Sequence, residues 1–209
     1  MVAWLKLAAS LDVPYHTNEE PAEVLWRTLI ADSDNEVCPA PSDAGKDFVF
    51  YLLAPFFLLR SDGDQPVQSQ DRKIAFINAI QLMVALKIVT KKLFDFINSI
   101  SNKQVPLQDR KAAYNQIISK ATVFQQLIHQ LIVMRRLFIT QEKRYLGLGS
   151  ESMQIRDEIW VLPRANTPVV LRELANGHFM VVGPAYVHGI MKGEAIVWSL
   201  DALENIILD

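Results

Sequence analysis

Val182-Gly183-Pro184-Ala185-Tyr186-Val187-His188-Gly189-Ile190-Met191-Lys192-Gly193-Glu194 is an apolar strand that runs into glycines, a proline, a phenol and an imidazole. Gly189 and Gly193 can take positive φ, so the chain can turn sharply twice. Tyr186 and His188 are two apart, and on a strand they share a face. The stretch reads as the last inner strand of a small β unit that bends over its own end.

Working upstream, the hydrophobic period stays short and alternating back to residue 138. Residues 138–140, 157–162, 168–173 and 178–182 read as strands, and 145–149 as a glycine loop close to other backbone. Asn176-Gly177 is a hairpin turn signal between the last two strands. Residues 195–198 add a further strand, and 201–208 a final amphipathic stretch. The expectation is a small, bent antiparallel β-sheet or half-barrel over 138–209.

Before residue 138 the period is helical. A short helix over 1–9 is followed by an irregular segment, 11–18. Thr17 or Asn18 can cap the next helix, with Pro21 in its first turn. Val24, Leu25, Thr28 and Leu29 form its stripe. A polar loop at 32–43 is acidic but lacks the glycine and final glutamate of a calcium loop. A helix over 44–60 should kink at Pro55, and 61–70 reads as a linker. Two long helices, 70–100 and 107–136, are separated by a break at 102–106. The first places Ile77, Ile80, Val84 and Ile88 on one side. Such a pair predicts an antiparallel helix hairpin. The fold class expected is therefore α+β: a helical N-terminal two-thirds, 1–137, with a β-rich unit, 138–209, packed on it as one body.

The 209 residues are 50% hydrophobic, enough for a sizeable core. A formal charge of −2 favours neither nucleic acid nor anionic lipid. One cysteine, Cys38, excludes an internal disulfide and suits a reducing cytoplasm. Residues 48–59 are apolar but too short to span a bilayer and contain Pro55.

His188 is the leading candidate for chemistry. It could act as a general base with Tyr186 beside it and Glu194 a turn away, as in a small hydrolase. The alternative is a structural role closing the sheet. No nucleophile elbow accompanies it. The histidines at 16, 129, 178 and 188 have no metal-ligand spacing, so neither metal nor cofactor is expected. Gly147 and Gly149 lack the Lys-Ser/Thr of a phosphate loop. Arg135, Arg136, Lys143 and Arg144 make a basic cluster that Arg172 could join, a surface for phosphate or an acidic partner or simply the charged end of a helix. The candidate binding set is Arg136, Lys143, Tyr145, Gly147, Gly149, Arg172, Tyr186 and His188.

Four blocks resemble fungal heterokaryon-incompatibility proteins. They are Leu25-Trp26-Arg27-Thr28-Leu29-Ile30-Ala31-Asp32, Arg136 to Thr140 with Tyr145 to Gly149, Thr167 to Arg172, and Tyr186 to Glu194. Their order matches that family's region beyond its signalling domain. Departures stand at Arg144, Arg156 and Pro184. The resemblance implies a fungal protein, without enzymatic activity, acting in self/non-self recognition through contact with a protein partner, possibly a separate signalling domain. It also implies that the chain begins after a signalling domain absent from it. A truncated, non-signalling product is a further alternative.

Overall fold

The computed structural model describes residues 1–34, 37–61, 70–89, 91, 93, 95–96, 104–195 and 203–209, and side chains outside 56–73 and 75–76 within these. Among them the chain is mixed α+β, with helices first and strands after. The helices are α1 (Val2–Ala9), α2 (Pro21–Leu29), α3 (Asp43–Ser61), α4 (Gln70–Ala85) and α5 (Leu107–Ile132). The strands are β1 (Arg135–Ile139), β2 (Leu146–Ser150), β3 (Glu158–Trp160), β4 (Val169–Glu173), β5 (Phe179–Pro184) and β6 (Tyr186–Val187).

Helix α2 begins where proline dictates. Pro21 takes the first helical position, where its missing N–H costs no bond, and Glu20 precedes it. Neither Thr17 nor Asn18 caps it: the Thr17 hydroxyl bonds Glu19, and Asn18 sits at φ 64°. The expected stripe of Val24, Leu25, Thr28 and Leu29 is buried, with Trp26. The Thr28 hydroxyl donates to Val24 O, so its burial leaves no orphan. Helix α3 passes so close that a Cβ on Gly45 would lie 2.8 Å from Trp26 Nε1.

The expected hairpin of two long helices falls largely on residues outside those described, and among the described residues the helices pair as follows. Helix α5 packs chiefly on α3, where Phe124 meets Phe48 and Tyr51 at ring separations of 5.2 and 5.6 Å. Helix α4 packs on α1. It also stops at Ala85 rather than running on to 100. Lys87 is left-handed at φ 57°, Lys87 N–H bonds Val84 O, and Ile88 N–H bonds Met83 O. This is a Schellman ending with lysine in the place glycine usually takes. Among its described side chains Ala79 and Met83 are buried, whereas Ile77 and Val84 are 53% and 55% exposed. The latter part of the expected first helix lies largely outside the described residues.

Two small antiparallel sheets follow, ordered β1-β2-β6 and β3-β4-β5. Strand β1 starts at Arg135, so α5 ends short of the expected 136 and Arg136 is a strand residue. The reversal is made by Met134 at φ 57°. The segment expected as a loop, 145–149, is mostly strand β2. The two glycines serve the pairing: Gly147 faces Phe138 across the ladder, and the Phe138 ring fills the space a side chain would need. The Asn176-Gly177 turn forms as expected, with Gly177 at φ 79°. Strand β5 runs into β6 through Ala185 alone, so one continuous run of chain serves both sheets. Gly183 at φ 151° and a register shift between Val170 and Leu171 accompany the change of sheet. The strand expected at 195–198 lies almost wholly outside the described residues. From 203 onward the tail carries no helix, and Leu208 bridges to Phe179.

The larger core unites the helices with Leu146 of β2. A smaller one holds Met153, Val170, Ala185, Val187 and Ile190, with Phe138 and Tyr145 against it. Arginines from both sheets grip the loop between β2 and β3. Arg136 donates to Met153 O, and Arg172 donates to Ser152 O and bonds both Asp157 oxygens at 2.7 and 2.8 Å. Arg172 holds the Asp157 carboxyl below its usual range. Asp157→Ala is expected to lower the thermal midpoint by a few degrees, on the order expected for a domain this size, and most of the deficit should persist in high salt because the Asp157 side chain is buried. Among the described residues no helix is long and apolar enough to cross a membrane.

Candidate functional site

The chain turn after β6 brings His188 against the segment before α2. Gly189 and Gly193 take φ 84° and 89°, as their place in the sequence predicts. A Cβ on Gly189 would lie 2.2 Å from His16 Nε2, so glycine is required there on two counts. Leu146 ties the pieces together. Its carbonyl accepts His188 N–H at 2.9 Å, and its N–H donates to the Tyr15 hydroxyl at 2.9 Å. Tyr15 donates onward to His188 O at 3.3 Å. The His16 ring lies between those of Tyr15 and Tyr145, 4.3 Å from each.

His188 is 4% exposed and Tyr186 7%. Their shared face is realised as a contact: the Tyr186 hydroxyl lies 2.9 Å from His188 Nδ1. His188 Nε2 bonds Glu19 Oε2, which also accepts the Thr17 hydroxyl. A carboxylate only accepts, so Nε2 carries hydrogen, while Nδ1 faces a hydroxyl able to serve in either sense. Glu19 Oε1 is 3.1 Å from Arg27 Nε. Arg27 reaches further, to Glu23 at 2.8 Å, Asp32 at 2.6 Å and the Ala40 carbonyl at 2.9 Å, and its guanidinium stacks 4.4 Å from the Trp26 ring. A continuous chain of polar contacts thus runs from Tyr186 to the loop after α2. Among the described residues no buried side-chain polar atom lacks a partner.

Burial sets the ionisation here. It would raise the Glu19 carboxyl, but hydrogen bonds from Thr17 and His188 and the Arg27 charge bring it below its ordinary value. Burial pushes the Tyr15 phenol up to about 12 and pushes Tyr186 up as well, with Asp32 and Glu19 adding to the effect. Stability carried by these neutral phenols is complete below pH ~10, the unfolded value, and is lost as pH rises through the folded values. Each contributes a slope of ~1.4 kcal/mol per pH unit in that window. Urea unfolding at pH 9 to 12 is expected to show a fall steeper than one group gives, and Tyr15→Phe should remove part of the slope.

The other candidates are placed elsewhere. Glu194 does not join His188; its Oε2 accepts Lys192 N–H at 2.7 Å. Arg136 and Arg172 are engaged with the 151–157 loop, and Lys143 is exposed. Gly147 and Gly149 are covered by Phe138 and Met153. Tyr145 packs on His16. The residues that complete the site are Tyr15, Thr17, Glu19, Arg27 and Asp32. Arg27 was findable, as the one basic residue of α2 with Glu23 four residues before it on the same face.

Tyr186, His188, Glu19 and Asp32 also contribute to the wall of a cavity of about 630 Å³ between the end of α5, the loop after α2, and residues 184–194. Among the described residues no three His, Cys, Asp or Glu side chains gather to hold a metal ion.

A family model, the Het-6 beta-barrel domain, matches residues 10–199. No curated protein matches the chain, and no solved structure does.

Proposed function

The chain belongs to the Het-6 beta-barrel family, a domain of fungal heterokaryon-incompatibility proteins, and from that premise we propose that it acts without catalysis, as a recognition or regulatory region. It works by protein contact in the cytoplasm, in self/non-self discrimination on cell fusion, and its partner is a protein such as a separate signalling domain. One observation supports this reading above others. Both nitrogens of the His188 ring are taken up inside the protein, by Tyr186 and Glu19. A catalytic histidine is also engaged at both nitrogens, so the group that would be deprotonated decides. That group, the Tyr186 hydroxyl, is buried and its phenol is held neutral by burial, so the imidazole is a clasp holding the β unit to the segment before α2, which makes the two parts one rigid contact surface.

The test is a fusion-barrier assay with protein level and circular dichroism followed in parallel. Lys143→Glu reverses an exposed charge between the two segments of the second block and should leave the fold intact while changing barrier strength. His188→Gln keeps a hydrogen-bonding side chain and should retain the barrier wherever the protein accumulates normally. Loss of the barrier in well-folded His188→Gln, with Lys143→Glu unaffected, would overturn the proposal in favour of a histidine-dependent enzyme.

A further inference from the structure

The cavity beside His188 goes beyond the contact-surface reading and stands apart from it. Its volume, about 630 Å³, lies within the range of small-molecule sites, and it sits where helical and β parts meet, a usual place for them. Its deep acids are already committed. Glu19 and Asp32 are held by Arg27, with His188 and Thr17 on Glu19 and Ala40 N–H on Asp32. They have little left to offer a ligand. The cations at its mouth are different. Arg135 and Lys192 line the cavity, both are exposed, and among the described residues neither has an acidic partner for its side chain. Leu131, Ala185 and Met191 add apolar lining. One acid, Glu194, stands at the rim with an oxygen bound to Lys192 N–H.

We infer that this cavity is a binding site for an amphipathic organic anion, its acid group on Arg135 and Lys192 and its apolar portion against Leu131, Ala185 and Met191. A guanidinium offers a planar fork to a carboxylate or phosphate, and an ammonium adds a second charge-assisted contact. Burying the apolar part supplies the rest of the affinity. Glu194 opposes the ligand's charge and limits binding.

The experiment uses the full chain with decanoate as probe and decyltrimethylammonium as the charge-reversed control. Binding is measured by calorimetry, and the alkylation rate of Cys38 is followed in parallel, since this lone thiol lines the same cavity. Decanoate should bind saturably with one site and slow Cys38 alkylation. The exposed double variant Arg135→Gln/Lys192→Gln should fold and bind at least about tenfold more weakly, the scale of losing charge-assisted hydrogen bonds. Glu194→Gln should bind more tightly. Absence of saturable binding overturns the inference. So does equal binding of decyltrimethylammonium, or undiminished binding by the double variant. Any of these leaves the fusion-barrier result unaffected, because that test reads Lys143 and His188 rather than the cations at the mouth.

Discussion

Arg27→Met is expected to cost about 3 kcal/mol of folding stability, the lower end of the range for stripping one partner from a buried charge network. Methionine keeps the stem that packs on Trp26 but removes the guanidinium. That leaves Glu19, Glu23 and Asp32 facing one another with no cation among them. Glu23 is the most exposed of the three and can turn to water, which holds the cost at the lower end. The Ala40 carbonyl also loses its donor. Glu19 loses the charge that helps keep it ionised, so its carboxyl should titrate at higher pH than in the parent protein. In the parent, the depressed Glu19 value gives stability that is present above pH ~4.5 and is lost as pH falls through the folded value. Urea denaturation at pH 7 and pH 4 checks both points: the gap between parent and variant should be wide at pH 7 and narrower at pH 4.

Gly147→Ala should have the next largest effect. A Cβ there would lie 2.3 Å from Phe138 Cζ and 2.8 Å from two further ring atoms. The ring cannot slide far, because it rests against the small core formed by Met153, Val170 and Val187. Overpacking of this kind costs ~1–3 kcal/mol. Phe138→Leu alone should also destabilise, by leaving space over Gly147. Combined with Gly147→Ala, however, it should cost less than the sum of the two, since the smaller side chain makes room for the new methyl. Strict additivity in a double-mutant cycle would show that Phe138 is not what makes glycine necessary there.

Residues that announce their conformation were readable from sequence. Pro21 marked the start of α2, Asn176-Gly177 the last hairpin, and Gly189 and Gly193 the double turn, and each is where expected. The Tyr186–His188 contact followed from a period of two. The misreadings share a cause: backbone reversals made by residues that do not advertise them. Lys87 and Met134 both take positive φ, and they end helices that periodicity alone would extend. Glycine-rich β2 looked like a loop because its pairing is justified by Phe138 on another strand, a fact no local window contains. The same holds for the site. His188 and Glu19 are 169 residues apart, and only the folded chain shows that the carboxylate next to the histidine is Glu19 and not Glu194. The packing of α4 on α1 and of α5 on α3 was not legible for a similar reason: apolar stripes fit several partners, and the choice among them is tertiary.

The single residue between β5 and β6 has a consequence for how errors are caught. Alternate side chains on a strand face opposite ways, so a slip of one position would turn every group over. Because only Ala185 separates β5 from β6, a mis-set hairpin at Asn176-Gly177 whose slip was not taken up at the irregularity by Gly183 would carry Tyr186 and His188 to the wrong side and strand Glu19 without its mate. The histidine clasp therefore acts as an inspector of alignment in a sheet that lies mostly beyond its reach, closing only when the strand before it has been threaded to the correct notch.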